Sequence, residues 1–316
     1  MRASIQFGVK LSTWGVSFAT QAKRAAVLAF IGGLLTTNVA ASPKVWQGDA
    51  GNWHDAENWL GGLPEVGDEA WITNSTAHVL LTNATPILST FKLERGTLVF
   101  TNWTTALRAH EVNIGNVGSM TLPPAFMESQ MSNRVWIVCS NLTLSSQAVI
   151  DVSGSGYAGG TWDSSGHGPG KGEGSTVGSR GGGAGYGGCG GWGRRTDFGW
   201  YLRGGTPYGL PLPAVAPGSG GGGGGYTGVY GGNGGGQVRI EADGDVLING
   251  SIKANGMEGG SYSGGGSGGG VHIACQSFGG NGKIAANGGS YGKFSDGGSG
   301  GGGRVSIEYA HVTRTH

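Results

Sequence analysis

Four stretches of this 316-residue chain open with the same V-x-I pattern, and that pattern restricts the fold more than any other feature. They are Val135-Trp136-Ile137, Val238-Arg239-Ile240, Val271-His272-Ile273 and Val305-Ser306-Ile307. The first three close with I-x-[AV]-x-G, at Ile150–Gly154, Ile252–Gly256 and Ile284–Gly288, so the separations from start to end are 19, 18 and 17 residues. Within each copy apolar and polar residues alternate, the period of a half-buried strand. Val238, Ile240 and Ala242 would face inward, with Arg239 and Glu241 outward. One such unit cannot bury its apolar face alone, whereas stacked copies form a continuous core. The expected fold is all-β: a parallel β-helix or solenoid over 135–316.

Aligning the copies places Cys139, Ala242 and Cys275 at one inward position on successive rungs. Cys139 and Cys275 then lie two rungs, roughly 9–10 Å, apart. A disulfide needs Cα atoms within about 7 Å, so both cysteines read as small buried hydrophobes. Two outward columns follow from the same alignment: Trp136, Arg239, His272 and Ser306, then Asp151, Lys253 and Ala285.

Glycine fills the intervals. Of 71 glycines, 59 lie between Gly154 and Gly303, in a long excursion over 154–236 and shorter ones at Gly256–Gly270 and Gly288–Gly303. One reading is flexible linker. The other is extended, polyglycine-II-like segments with three residues per turn, bonded directly to one another because no side chain separates them. The regular return to strand, and the Tyr226, Val229, Tyr230, Tyr262 and Tyr291 set among the glycines, favour the ordered reading. Residues 42–134 hold little glycine and many short β-type runs, such as Ala77–Leu81 and Thr97–Phe100, with a turn signal at Glu94-Arg95-Gly96.

Residues 1–41 read as a secretion signal. Basic residues end at Lys23-Arg24, an apolar run spans Ala25–Leu35, and Val39-Ala40-Ala41 supplies small residues for cleavage before Ser42. The run is shorter than the ~20 residues that cross a bilayer, so no membrane span is expected after cleavage. The leader carries four of the 20 basic groups and none of the 19 acidic ones, so the formal +1 becomes a small negative charge without it. No nucleic-acid partner is implied; Arg180-Gly181-Gly182 and Arg203-Gly204-Gly205 imitate RNA-binding repeats that an exported chain has little use for.

Glycine also generates motifs without chemistry. Gly154–Gly159 fits G-x-G-x-x-G, but no helix follows to hold a pyrophosphate. G-x-S-x-G around Ser267, Ser290 and Ser299 lacks a strand-to-helix elbow. The seven histidines have no metal-ligand spacing, Asp243-Gly244-Asp245 reads as a turn, and the outward columns offer no paired carboxylates. No cofactor, metal or catalytic residue is assigned. Sequons begin at Asn74, Asn83, Asn102, Asn141 and Asn249, all residues common in turns and strands of such folds.

Two constellations remain. Trp46, Trp53, Trp59 and Trp71 are expected to cap the open first end of the stack, the other reading being a sugar-stacking site. Inside the long excursion, Trp192, Arg194, Arg195, Phe198, Trp200, Tyr201 and Arg203 place four aromatics and three arginines within twelve residues. They form either a tip that stacks on sugars or pairs with anionic glycans, or a plug that pins the loop.

The mature start reads Val45-Trp46-Gln47-Gly48, Asn52-Trp53, Asn58-Trp59, Gly61-Gly62-Leu63-Pro64 and Gly67-Asp68-Glu69-Ala70, and the far end reads Arg304-Val305-Ser306-Ile307-Glu308-Tyr309 after four glycines. Together these blocks resemble large exported bacterial surface proteins of the autotransporter and PEP-CTERM type. The resemblance implies an extracellular β-solenoid of adhesive or structural role, with no catalytic residues to carry over. The expected function is therefore a non-catalytic secreted or cell-surface protein that contacts extracellular glycans or cell-envelope polymers. The alternatives are a polysaccharide-processing β-helix enzyme and an ice- or mineral-binding surface.

Overall fold

A strand that alternates apolar and polar residues must find neighbours on both edges and cover for one face. In the computed structural model the chain meets both needs with two parallel sheets. The structure describes residues 42–127, 134–174, 179–194, 201–225, 229–292 and 297–313. Ala41–His316 form one unit by themselves. The fold is all-β, with a single three-residue 3-10 turn at Ala56–Asn58 among the described residues. No described helix is long and apolar enough to cross a membrane. The leader predicted over 1–41 lies outside the described residues.

The chain visits the two sheets in alternation. Successive segments enter the first at Lys44–Trp46, Glu69–Ile72, Leu88–Leu93, Leu107–Ile114, Val135–Leu144, Gln237–Ala242 with Asp245–Ile248, Gly270–Gly279 and Arg304–Thr313. They enter the second at Ala50–Asn52, His78–Leu81, Thr97–Phe100, Ser119–Thr121, Val149–Asp151, Ser251–Lys253 and Lys283–Ala285. One turn between the sheets is set by Gly96 (φ +83°), where a Cβ would strike the Ala77 and Asn74 carbonyls, so the Glu94-Arg95-Gly96 signal has a steric cause.

The register follows the repeat. Val135, Val238, Val271 and Val305 pair in one row, and Ile137, Ile240, Ile273 and Ile307 in the next but one. Ile150, Ile252 and Ile284 pair likewise in the second sheet. The rows also continue into residues 42–134, where the V-x-I repeat is absent: Phe91, Val112, Leu142, Val246 and Phe278 form one row. Val79, Leu98, Met120 and Ile150 form another. The expected boundary at 134/135 thus falls between strands of one continuous sheet, Leu107–Ile114 being paired with Val135–Leu144. The inward side chains of both sheets belong to one buried cluster.

All three cysteines are free. Cys139 is paired in register with Ala242, and burial pushes its thiol up to about 12. Cys189 is exposed. A maleimide should therefore modify Cys189 in the native protein and leave Cys139 untouched until denaturant is added. Labelling of Cys139 at native conditions would contradict its burial.

The glycine-rich segments are bonded backbone to backbone. Gly220 and Gly223 donate to His167 and Ser164 of one neighbour, Gly218 and Gly221 to Gly235 and Gly232 of a second, and Gly222 to Gly182 of a third. Partners recur every three residues. Each neighbour is itself bonded onward, as in Gly182 to Glu173, Gly264 to Gly222 and Gly232 to Gly264. These segments leave the second sheet after Asp151, Lys253 and Ala285 and return to the first at Gln237, Gly270 and Arg304.

Candidate functional site

Gly193–Arg194 and Tyr201–Leu202 pair as two short antiparallel strands, with Arg194 opposite Tyr201. Their base is tied to glycine-rich neighbours. Arg180 donates its N–H to the Arg194 carbonyl at 2.9 Å, and Glu173 binds both backbone groups of Arg203, accepting from its N–H at 2.8 Å and donating to its carbonyl at 3.1 Å. Glycines on either side carry this fastening inward, Gly190 donating to Gly205 and Gly205 to Gly183.

The hairpin's described side chains point away from the core. Trp192 is 63% and Tyr201 58% exposed, with ring centroids 6.1 Å apart, and Arg194 and Arg203 are exposed beside them. Arg195, Phe198 and Trp200 lie outside the described residues. Exposed aromatic rings beside guanidinium groups can offer flat apolar surface to the C–H face of a sugar and positive charge to an acidic one.

The four N-terminal tryptophans separate. Trp46, Trp53 and Trp59 are buried at the first edge of the large sheet, where Trp59–Leu60 pairs antiparallel with Lys44–Trp46. Trp53 and Trp59 meet edge to face at 4.6 Å, Trp46 and Trp59 at 5.3 Å, and Trp53 also packs on Phe91. Trp71, expected with them as part of an end cap, is not part of this cluster. It alternates with the inward Ala70 and Ile72 and so occupies the outer face, where Lys92 sits 5.2 Å above its ring and Glu69 accepts its Nε1–H. A one-residue step along a strand reverses the face, and spacing among tryptophans does not report that step.

The outward columns also differ from expectation in their cover. Asp151 and Lys253 form an exposed ion pair at 3.6 Å. His272 and Ser306 are not on a solvent face: each is at most 6% exposed. Ser306 Oγ lies 3.0 Å from His272 Nδ1 and accepts the backbone N–H of Ala214 at 2.9 Å, so the proline-rich stretch around Ala214 covers this column. Burial lowers the His272 pKa, partly offset by Glu308, whose carboxylate is 3.8 Å away.

Further along the same face is a network that the sequence did not disclose. Trp136 Nε1 donates to Glu241 Oε2 at 2.7 Å, and Arg239 Nη2 pairs with the other oxygen of Glu241. The guanidinium of Arg134 lies over Trp136 at 4.2 Å and over Trp103 at 4.8 Å; that of Arg239 lies over Trp136 at 5.2 Å. Burial drives the Arg134 guanidinium down to about 10, Arg239 adding to the fall. Glu241 feels the opposite push from burial, but the hydrogen bonds of Arg239 and Trp136 outweigh it and hold the carboxyl below its ordinary range. These partners are about a hundred residues apart, joined only by strand register. Among the described residues, no three His, Cys, Asp or Glu side chains gather as a metal site.

Comparison with protein-family models, with curated proteins and with solved structures finds no match to this chain.

Proposed function

We propose that this chain is a non-catalytic β-solenoid scaffold of structural or adhesive role, exported by residues 1–41, whose Trp192–Arg203 hairpin contacts extracellular glycans. The resemblance to exported surface proteins of the autotransporter and PEP-CTERM type points the same way. The solenoid reading is supported by rows of paired residues that run from Ala70 to Phe278 while the chain alternates between two sheets. The three-residue recurrence of hydrogen-bond partners at Gly218–Gly223 is the period of polyglycine II, and supports a glycine bundle of that kind beside the strands. Rigidity of this sort suits a protein that holds a shape and presents a surface.

The observation that carries the glycan reading is the hairpin itself. Two large rings stand exposed beside two arginines on a backbone fastened to Glu173 and Arg180, whereas a plug would bury those rings. The arginines favour acidic polymers. Replacing Trp192 and Tyr201 together with alanine should weaken binding to an acidic polysaccharide such as polygalacturonate at least tenfold, with the thermal midpoint unchanged within about 2 °C. Undiminished binding in that double variant would sink this assignment. Loss of stability instead would identify the hairpin as a plug.

A further inference from the structure

A groove of about 440 Å³, large enough for a small ligand, crosses the outer face of the large sheet well away in sequence from the hairpin. Its base is the middle strand Val135–Leu144, which contributes Val138 and Ser140. On one flank the strand Leu107–Ile114 supplies Arg108 and His110; on the other Glu241 and Asp243 project at and just beyond the end of Gln237–Ala242. The flanking strands are both paired to the middle one, so they stand about 10 Å apart. That is wide enough for one pyranose ring lying across the strands.

We infer that this groove is a binding site for a neutral saccharide, independent of the hairpin. The apolar base, Val138 with Trp136 two residues before it on the same face of the strand, matches the C–H face of a sugar ring. The rim matches its hydroxyls: Glu241 and Asp243 accept, the Arg108 guanidinium donates, and Ser140 does either. A sugar acid would meet two carboxylates on one flank, and a cationic sugar would meet Arg108 on the other. A neutral ligand satisfies both flanks. A free amino acid fits less well, because Glu241 already shares its charge with Arg239 and Trp136.

The groove wall is also held by a network of charged and aromatic side chains. Trp136 is fixed by two guanidinium groups and by Glu241, and Arg134 and Arg239 each leave a buried Nε without a partner. Buried charge networks of this kind are often no more stable than well-packed apolar side chains in their place. What the network does achieve is a single orientation for Trp136 and Glu241, the preorganisation a binding site needs. Glu241, kept ionised, serves as a hydrogen-bond acceptor for hydroxyl groups and not as a proton donor, which suits binding without cleavage.

The test uses the whole mature protein and titration calorimetry with hexasaccharides of β-1,4-glucose, α-1,4-glucose and β-1,4-mannose, alongside oligogalacturonate and free amino acids. At least one neutral oligosaccharide should bind saturably. Its affinity should fall at least tenfold in Arg108→Ala/Asp243→Ala, vanish in Val138→Trp, which fills the groove, and stay unchanged in Trp192→Ala/Tyr201→Ala. Thermal midpoints report folding, and the exposed Arg108/Asp243 pair decides the matter if the filled variant does not fold. Absence of neutral binding, binding only to the acidic oligomer or to amino acids, or undiminished affinity in the Arg108/Asp243 variant would overturn the assignment. Loss of acidic-polymer binding in the hairpin variant with neutral binding intact would separate the two sites.

Discussion

Replacing Gly222 with alanine should destabilise this protein by about 3 kcal/mol or more, or prevent folding altogether. An added Cβ there would run into the carbonyl carbon and oxygen of Glu173, backbone atoms with no side-chain freedom to yield. Glu173 is not free to retreat, because it is bonded to Gly182 and to Arg203, and Gly182 accepts the N–H of Gly222 itself. Displacing one segment therefore breaks bonds to several neighbours at once, each leaving a buried peptide group unpaired. Gly302→Ala is the matched control. Nothing lies within 4 Å of its Cβ position, so the change should stay within about 0.5 kcal/mol. Thermal unfolding reads both variants, and hydrogen exchange reads the cause. Amides of Gly218–Gly225 and Gly231–Gly236 should be protected in the parent and lose that protection in Gly222→Ala. Fast exchange across these amides in the parent would rule out an ordered glycine bundle.

Trp53→Ala should be the most damaging change at the other end of the molecule, at about 3–5 kcal/mol and a midpoint lower by of order 10 °C. Trp53 is fully buried and packs against both Trp59 and Phe91. Phe91 belongs to the inward row that continues through Val112 and Leu142, so the loss opens the first strands of the core to water. Trp53→Phe should cost much less, because the indole Nε1–H is buried without an acceptor and only ring area is lost. Comparable losses for Phe and Ala would show that ring packing is not what holds this end. Trp71→Ala, on the outer face, should cost under about 1 kcal/mol beside these values.

The V-x-I spacing already implied the register of Val135, Val238, Val271 and Val305, because a one-residue slip would turn Ile137, Ile240 and Ile273 outward and a two-residue slip would lose the match between the copies. The same logic placed Cys139 beside Ala242 and excluded its pairing with Cys275. It did not reach into residues 42–134. There the inward row changes from Ala70 to Phe91 to Val112, and a core asks for apolar volume and not for a repeated identity.

Composition also pointed to the Trp192–Arg203 tip, whereas its exposure depended on which neighbours hold its base. The Trp136–Glu241 network and its groove were out of reach for a related reason. Arg108, Trp136 and Glu241 come from three strands brought together across about 130 residues of chain, and only the stacking order decides which strand lies beside which. Glycine is the extreme case. Its sequence determined that segments could approach closely, since no side chain intervenes, but a residue without a side chain carries no mark of its partner. That Gly222 bonds to Gly182 and receives Gly264 was decided by the tertiary structure alone.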